Sequence, residues 1–230
     1  MTEAAKSNVG IYTTVAPAIM GHPAVVEPKK FKNAKGQETG EPKYSAIFVF
    51  EPDSEDLKGL KGAMAAVAKA KWPGRDLKEL KFPLTAGDTL IEKRKKKLAT
   101  KNKEYTGDAD FQKGMVVLKS SSKYRPQLSV VENGKLVEVT DETLAIHKGK
   151  FYFGAKCLAQ FNFVAYEATK DGDPDGITGY LNMVLSTNKG ERIKSGGNAA
   201  DVFKGFVGNL STEDPTAGQD AETVDDDILF

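Results

Sequence analysis

KFYFGAKCLAQFNFVAYEA, residues 150–168, decides how this chain folds. Within it Cys157, Ala159, Phe161 and Phe163 alternate with Lys156, Leu158, Gln160 and Asn162, so an extended backbone has one apolar side and one mostly polar side. A period of two is the mark of a half-buried β-strand. A strand this long needs partners, and the flanking sequence supplies them. Ile177 to Leu185 reads as the next strand, after a loop from Lys170 to Gly176. Upstream, Met115 to Lys119, Pro126 to Glu132 and Lys135 to Val139 are strand-like, the last two joined by Asn133-Gly134, a hairpin signal.

Further out, Val9 to Met20 and Ala24 to Lys32 form two extended segments separated by Gly21-His22-Pro23. A polar loop, Asn33 to Pro42, leads into Lys43 to Glu51, where Tyr44, Ala46, Phe48 and Phe50 share one face and Ile47 and Val49 the other. Pro52-Asp53-Ser54 announces a helix on which Leu57, Leu60, Met64 and Val67 recur every three or four residues, and Pro73-Gly74 stops it after Trp72. Residues 75–112 are polar and irregular, a long loop or hairpin that includes the run Lys93 to Lys97. Asn198 reads as the cap of a short helix with Val202, Phe203 and Phe206 inward. The expected fold is mainly β, roughly seven to nine strands with one long helix and one short, most economically closed as a barrel.

The chain has 230 residues and 33 basic against 32 acidic side chains. Seven of the acids lie between Thr212 and Phe230, where there is no Lys or Arg, so residues 1–211 hold 33 bases against 25 acids, a net +8. The division expected is a basic folded body over 1–211 and an acidic, disordered tail over 212–230. That split points to a body that binds nucleic acid and a tail that meets partners or competes for the same groove. The tail ends Asp225-Asp226-Asp227-Ile228-Leu229-Phe230. Exposed apolar groups oppose solubility, so this ending reads as a peptide ligand whose ring and carboxylate dock in a basic-rimmed apolar pocket.

Cys157 is the only cysteine, so no intrachain disulfide can form. No apolar run approaches the roughly 20 residues that span a bilayer, and the start lacks a signal peptide's apolar centre. A soluble, cytoplasmic protein without membrane contact is expected.

Catalytic chemistry finds little support. His22 and His147 are the only histidines, each beside a turn and expected to be exposed, so a three-histidine metal site is impossible. Gly149 to Lys156 has the glycine spacing of a phosphate loop but Ala155 where that motif needs Lys. Asp171 to Gly176 resembles half a calcium loop, yet Asn182 stands where a bidentate Glu belongs. A two-metal nuclease needs paired carboxylates on strands, whereas the acids cluster in a turn and the tail. No catalytic residue, metal or cofactor is expected.

Nucleic-acid binding needs cations that track phosphates and aromatic faces on which bases stack. Lys113, Lys119, Lys123 and Arg125 surround Tyr124 in one strand-loop-strand passage. Tyr152 stands between Lys150 and Lys156 and points away from its Phe neighbours if that stretch is extended; Lys93, Arg94, Lys95 and Tyr105 offer a clamp. Phe48, Phe50, Phe161 and Phe163 are assigned to the core.

The ending Asp225 to Phe230 resembles the acidic tip of bacterial and phage single-stranded DNA-binding proteins. Gly149-Lys150-Phe151-Tyr152 before a long strand, then Gly176-Ile177, Leu181-Asn182, Gly190-Glu191, Gly196-Gly197 and Phe203, are similar to a phage family of such proteins. The resemblance implies an OB-type Greek-key barrel that coats single-stranded DNA in phage replication or recombination, in the host cytoplasm. Asp225, Asp226, Asp227, Ile228, Leu229 and Phe230 would then recruit replication proteins such as a polymerase, helicase-primase or nuclease, with a homodimer left open as an assembly state. Two other classes compete: a phage structural or assembly protein with incidental DNA contact, and an RNA-binding or annealing protein on the same barrel.

Overall fold

The computed structural model describes residues 9–32, 37–169 and 172–193. The Asn198 helix and the tail lie outside them. Strands β1 (Ile11–Thr13), β2 (Ala18–Lys32) and β3 (Glu38–Phe50) come first, then helix α1 (Glu55–Lys71). A short strand β4 (Leu84–Ala86), helix α2 (Gly87–Ala99), strands β5 (Val116–Ser122), β6 (Gln127–Glu132) and β7 (Lys135–Glu138), and the single turn α3 (Leu144–His147) follow. The long strands β8 (Lys156–Tyr166) and β9 (Gly176–Lys189) complete the body.

The strands form one sheet in the order β4-β5-β3-β2-β8-β9-β6-β7, with β1 beside β8. All pairings are antiparallel except β6 with β9, which makes the sheet mixed. It curls until β9 approaches β5. There the approach to β4 bridges them: the Ile177 amide donates to the Lys81 carbonyl at 2.8 Å, and the Lys119 amide to the Pro83 carbonyl at 3.0 Å. The fold is the mainly β, OB-type one.

β8 has the expected inward face. Cys157, Ala159, Phe161 and Phe163 are buried, and Phe161 meets Phe48 of β3 edge-on with ring centroids 5.1 Å apart. Met20, Leu118 and Leu181 join from β2, β5 and β9, while Leu57, Leu60 and Met64 seal the core from α1. Each such side chain contributes about 1.5–3 kcal/mol through lost contact with water.

α1 is bounded as its sequence implies: Ser54 accepts from the Leu57 amide at 3.3 Å, and acids begin while lysines end the helix. Asp56 in its first turn is buried and accepts from the Tyr12 hydroxyl and the Val15 and Ala16 amides, tying the β1–β2 connection to the helix. Asn133 and Gly134 both have positive φ, 49° and 74°, as a two-residue type I′ hairpin turn requires.

Four expectations are corrected. Residues 87–99 form a helix rather than loop or hairpin, so Lys93 to Lys97 are helical. Only Ile91 and Gly87 are buried on it, too thin an apolar stripe to read as a period, and a Cβ on Gly87 would fall 1.8 Å from the Gln112 carbonyl oxygen. Gly21-His22-Pro23 does not separate two strands: β2 runs through it with a register shift, His22 taking φ 45°. Phe151 to Phe153 are not extended, because a 3₁₀ turn at Lys148–Lys150 precedes them and Gly154 turns the chain at φ 101° before β8. Finally, His147 is buried at 6 % exposure, with Glu132 3.4 Å from Nδ1.

Candidate nucleic-acid interface

Where β5 and β9 face each other, their outer sides leave a groove. Two adjoining clefts, of 570 and 600 Å³, share Ser121, Thr178 and Tyr180. Its walls come from β3, β5, β9 and the Lys81–Pro83 segment. The buried hydroxyl of Ser120 donates to the Gly179 carbonyl at 3.1 Å and joins the two sides.

The groove is cationic. Lys43, Lys81, Lys119, Lys123 and Arg125 line it. Lys123 lies 2.6 Å from Glu41, and Arg125 pairs with Asp141. Both acids are exposed, and such pairs are worth little, so a phosphate can take their place. Glu41 is held below the usual carboxylate range by its hydrogen bond to Lys123, and Lys123 is correspondingly raised.

Lys119 differs. Its pKa is lowered, first by partial desolvation and then by Lys93 of α2 and by Lys81. Lys119 therefore faces two like charges, with no anion among its own main influences. A phosphate placed there would relieve that repulsion.

Aromatic faces accompany the cations. Tyr124 is 82 % exposed and Tyr180 40 %, and both line the same cleft as Lys123. Met183 beside them is also exposed. At the other end His22 enters the groove from the β2 bulge. Its imidazole is stacked on Phe153 with centroids 4.6 Å apart, and Phe111 meets Phe153 edge-on at 5.2 Å. Desolvation, then Arg94, lowers its pKa.

Of the residues singled out from sequence, Lys119, Lys123, Tyr124 and Arg125 are brought together in the groove, with Lys93 near enough to act on Lys119. Arg94 pairs through two hydrogen bonds with Asp108. Lys95 is 3.1 Å from Glu92 and 5.6 Å from the Tyr105 ring, and the Tyr105 hydroxyl donates to Asp110 at 2.8 Å. That tyrosine pins its own loop. Lys113 is exposed after the turn at Asp110–Gln112 and does not line the groove. Nor do Tyr152 and Lys156: the Tyr152 hydroxyl donates to the Gly190 carbonyl at 2.7 Å and Arg192 covers its ring, while Lys156 faces a different cleft beside Ala18 and Ile19. The tail residues Asp225 to Phe230 lie outside the described residues.

Lys43, Lys81, Tyr180 and Met183 were not anticipated. Alternation along β9, with Gly179 and Leu181 inward, held the signal for Tyr180. Lys81 had none, since its place depends on barrel closure.

Among the described residues no group of His, Cys, Asp or Glu is arranged to hold a metal, and no helix is long and apolar enough to cross a membrane. No curated protein matches the chain. Its fold is similar to that of the single-stranded DNA-binding protein from bacteriophage Enc34 in complex with ssDNA, with TM-score 0.56 and 18 % identity over 83 % of this chain and 97 % of that one. The same phage protein alone gives TM-score 0.55 and 17 % identity over 86 % and 95 %. Residues 20–216 match the family model described as Enterobacter phage Enc34, ssDNA-binding protein. A match over most of the sequence, joined to the shared barrel, makes this chain a member of that phage family.

Proposed function

We propose that the protein binds single-stranded DNA along the β5–β9 groove and coats it without strong sequence preference during phage replication or recombination. The observation that carries this reading is the pairing of Lys119, which has only like charges among its main electrostatic neighbours, with the exposed rings of Tyr124 and Tyr180 along one groove. Cations neutralise phosphates and release counterions, and bases stack on the tyrosines at about 1–3 kcal/mol each. Every base has a stackable face, so discrimination is weak. No bond is made or broken, and no cofactor takes part. The DNA-binding domain is residues 1–211, acting in the host cytoplasm.

The acidic segment 212–230 is assigned the second role. Its carboxylates compete with DNA for the basic groove, and Asp225 to Phe230 recruit replication proteins when DNA displaces them. A flexible chain of nineteen residues has a reach of roughly 25 Å, the length such a competing role would need.

The test is fluorescence anisotropy with single-stranded DNA, duplex DNA and single-stranded RNA over a salt series, for the full chain and one ending at Ser211. Tight, salt-sensitive binding of single strands over duplex, strengthened by truncation, is expected. Equal weak binding to all three would favour a structural protein, preference for RNA would move the substrate, and unchanged low-salt affinity on truncation would remove the competing tail.

A further inference from the structure

We infer that His22 is a base-stacking platform at the end of the groove nearest α2, taking one nucleobase against its open face. This rests on the groove being the single-strand path, and adds a binding residue that neither charge nor alternation marks.

Four observations converge on this histidine. It lines the groove and is exposed, although it belongs to a strand otherwise engaged in the sheet. Its backbone takes φ 45° at a bulge, a conformation that non-glycine residues adopt sparingly, and the bulge re-aims the side chain. One face of the ring is already stacked on Phe153, itself braced edge-on by Phe111, so the imidazole is held in place before any ligand arrives. A ring already ordered loses little freedom when a base joins the stack. Gly21 sits under the bulge, where a Cβ would lie 2.6 Å from Ile47, so the backbone comes close enough to fix the turn.

The surroundings suit a nucleotide rather than a phosphate on the ring itself. Arg94 and Lys29 are the cations that act on His22, and Lys119 lines the same cleft. Asp108 is the acid among its main neighbours, and it is paired with Arg94. The imidazole is therefore a neutral aromatic surface near neutral pH, flanked by cations for the adjoining phosphates. Stacking on Phe153, His22 and then a base continues one aromatic column.

The experiment compares His22→Asn and His22→Phe with the full chain, by titration of labelled oligo-dT long enough to cross the groove, over a salt series. Asn tolerates positive φ, so H22N removes the ring while keeping the bulge. H22N is expected to weaken binding about five- to a hundredfold, the worth of one stacked base, with the slope of log affinity against log salt unchanged. H22F should bind within a few fold of the parent chain. In a second measurement, 2-aminopurine in the oligonucleotide should be quenched on the parent chain and less so on H22N. Parent-like binding by H22N with unchanged quenching overturns the inference and leaves the groove reading intact. A shallower salt slope, or failure of a folded H22F to rescue, assigns His22 a phosphate or polar contact and overturns stacking. If the parent chain shows no preference for single strands, both readings fall.

Discussion

Ser120 on β5 donates its hydroxyl to the main-chain carbonyl of Gly179 on β9 at 3.1 Å, buried, across 59 residues of sequence. The bond satisfies a carbonyl in a strand whose edge β5 does not pair, and it sits beneath the groove. Ser120→Ala leaves that acceptor without its buried partner, so a loss of about 1–3 kcal/mol is expected. Denaturant unfolding of both proteins would measure it, and an unchanged midpoint would show that the seam holds without this bond.

Lys119 is held below the ordinary lysine value by desolvation and by Lys93 and Lys81, so its charge opposes folding. The sign follows: the folded state binds this proton less tightly than the unfolded chain, so this contribution to stability improves as pH rises from the depressed pKa towards 10.5, the ordinary value. Lys119→Met should therefore raise the melting temperature at pH 7 while weakening single-strand binding and reducing the salt slope by about 0.7, the share of one phosphate contact. Lys119 should also lose its charge below the ordinary lysine value, so affinity should decline on the approach to pH 10 earlier in the parent than in Lys119→Arg.

Tyr124 and Tyr180 are exposed rings that line the same cleft as Lys123. Replacing either with Ala should weaken single-strand binding by about 1–3 kcal/mol, and Phe should retain it, because the ring face rather than the hydroxyl does the stacking. Tyr152→Ala, by contrast, removes a hydroxyl that donates to Gly190 and should reduce stability more than affinity. Titrations of these variants with one oligonucleotide, beside their melting curves, would separate the groups; equal loss of affinity at Tyr152 would enlarge the interface.

Asp56 accepts from Tyr12, Val15 and Ala16 while only 3 % exposed, so Asp56→Ala strands several donors and should cost on the order of 3 kcal/mol. Desolvation first, then its bond to Asp56, pushes the Tyr12 phenol from 10.0 up to about 12. A raised phenol pKa stabilises the fold below the unfolded value and loses that contribution as pH rises through the folded one, so stability should fall between pH 10 and about 12. Tyr12→Phe should flatten this decline. An identical slope in the variant would place the titrating group elsewhere.

Much of this molecule is legible in its residue order. The alternation of Cys157 to Phe163, the Ser54 cap with its apolar period, and the Asn133-Gly134 turn are local patterns, and each element formed where its pattern stood. Lys119, Lys123, Tyr124 and Arg125 were recognisable because one strand-loop-strand passage carries cation and ring together. α2 was obscured because five successive basic residues hide a thin buried stripe. Tyr152 was misjudged because Gly154 packs against the backbone of Glu191, far along the chain, and that contact turns 151–153 out of the strand. The groove itself depends on Lys81 meeting Gly176 and on Ser120 meeting Gly179. Periodicity and caps act over a few residues and can be read from order alone. Barrel closure, the convergence of Lys93, Lys81 and Lys119, and the stacking of His22 on Phe153 bring distant segments together, and packing free energy selects them only once the whole sheet has rolled up.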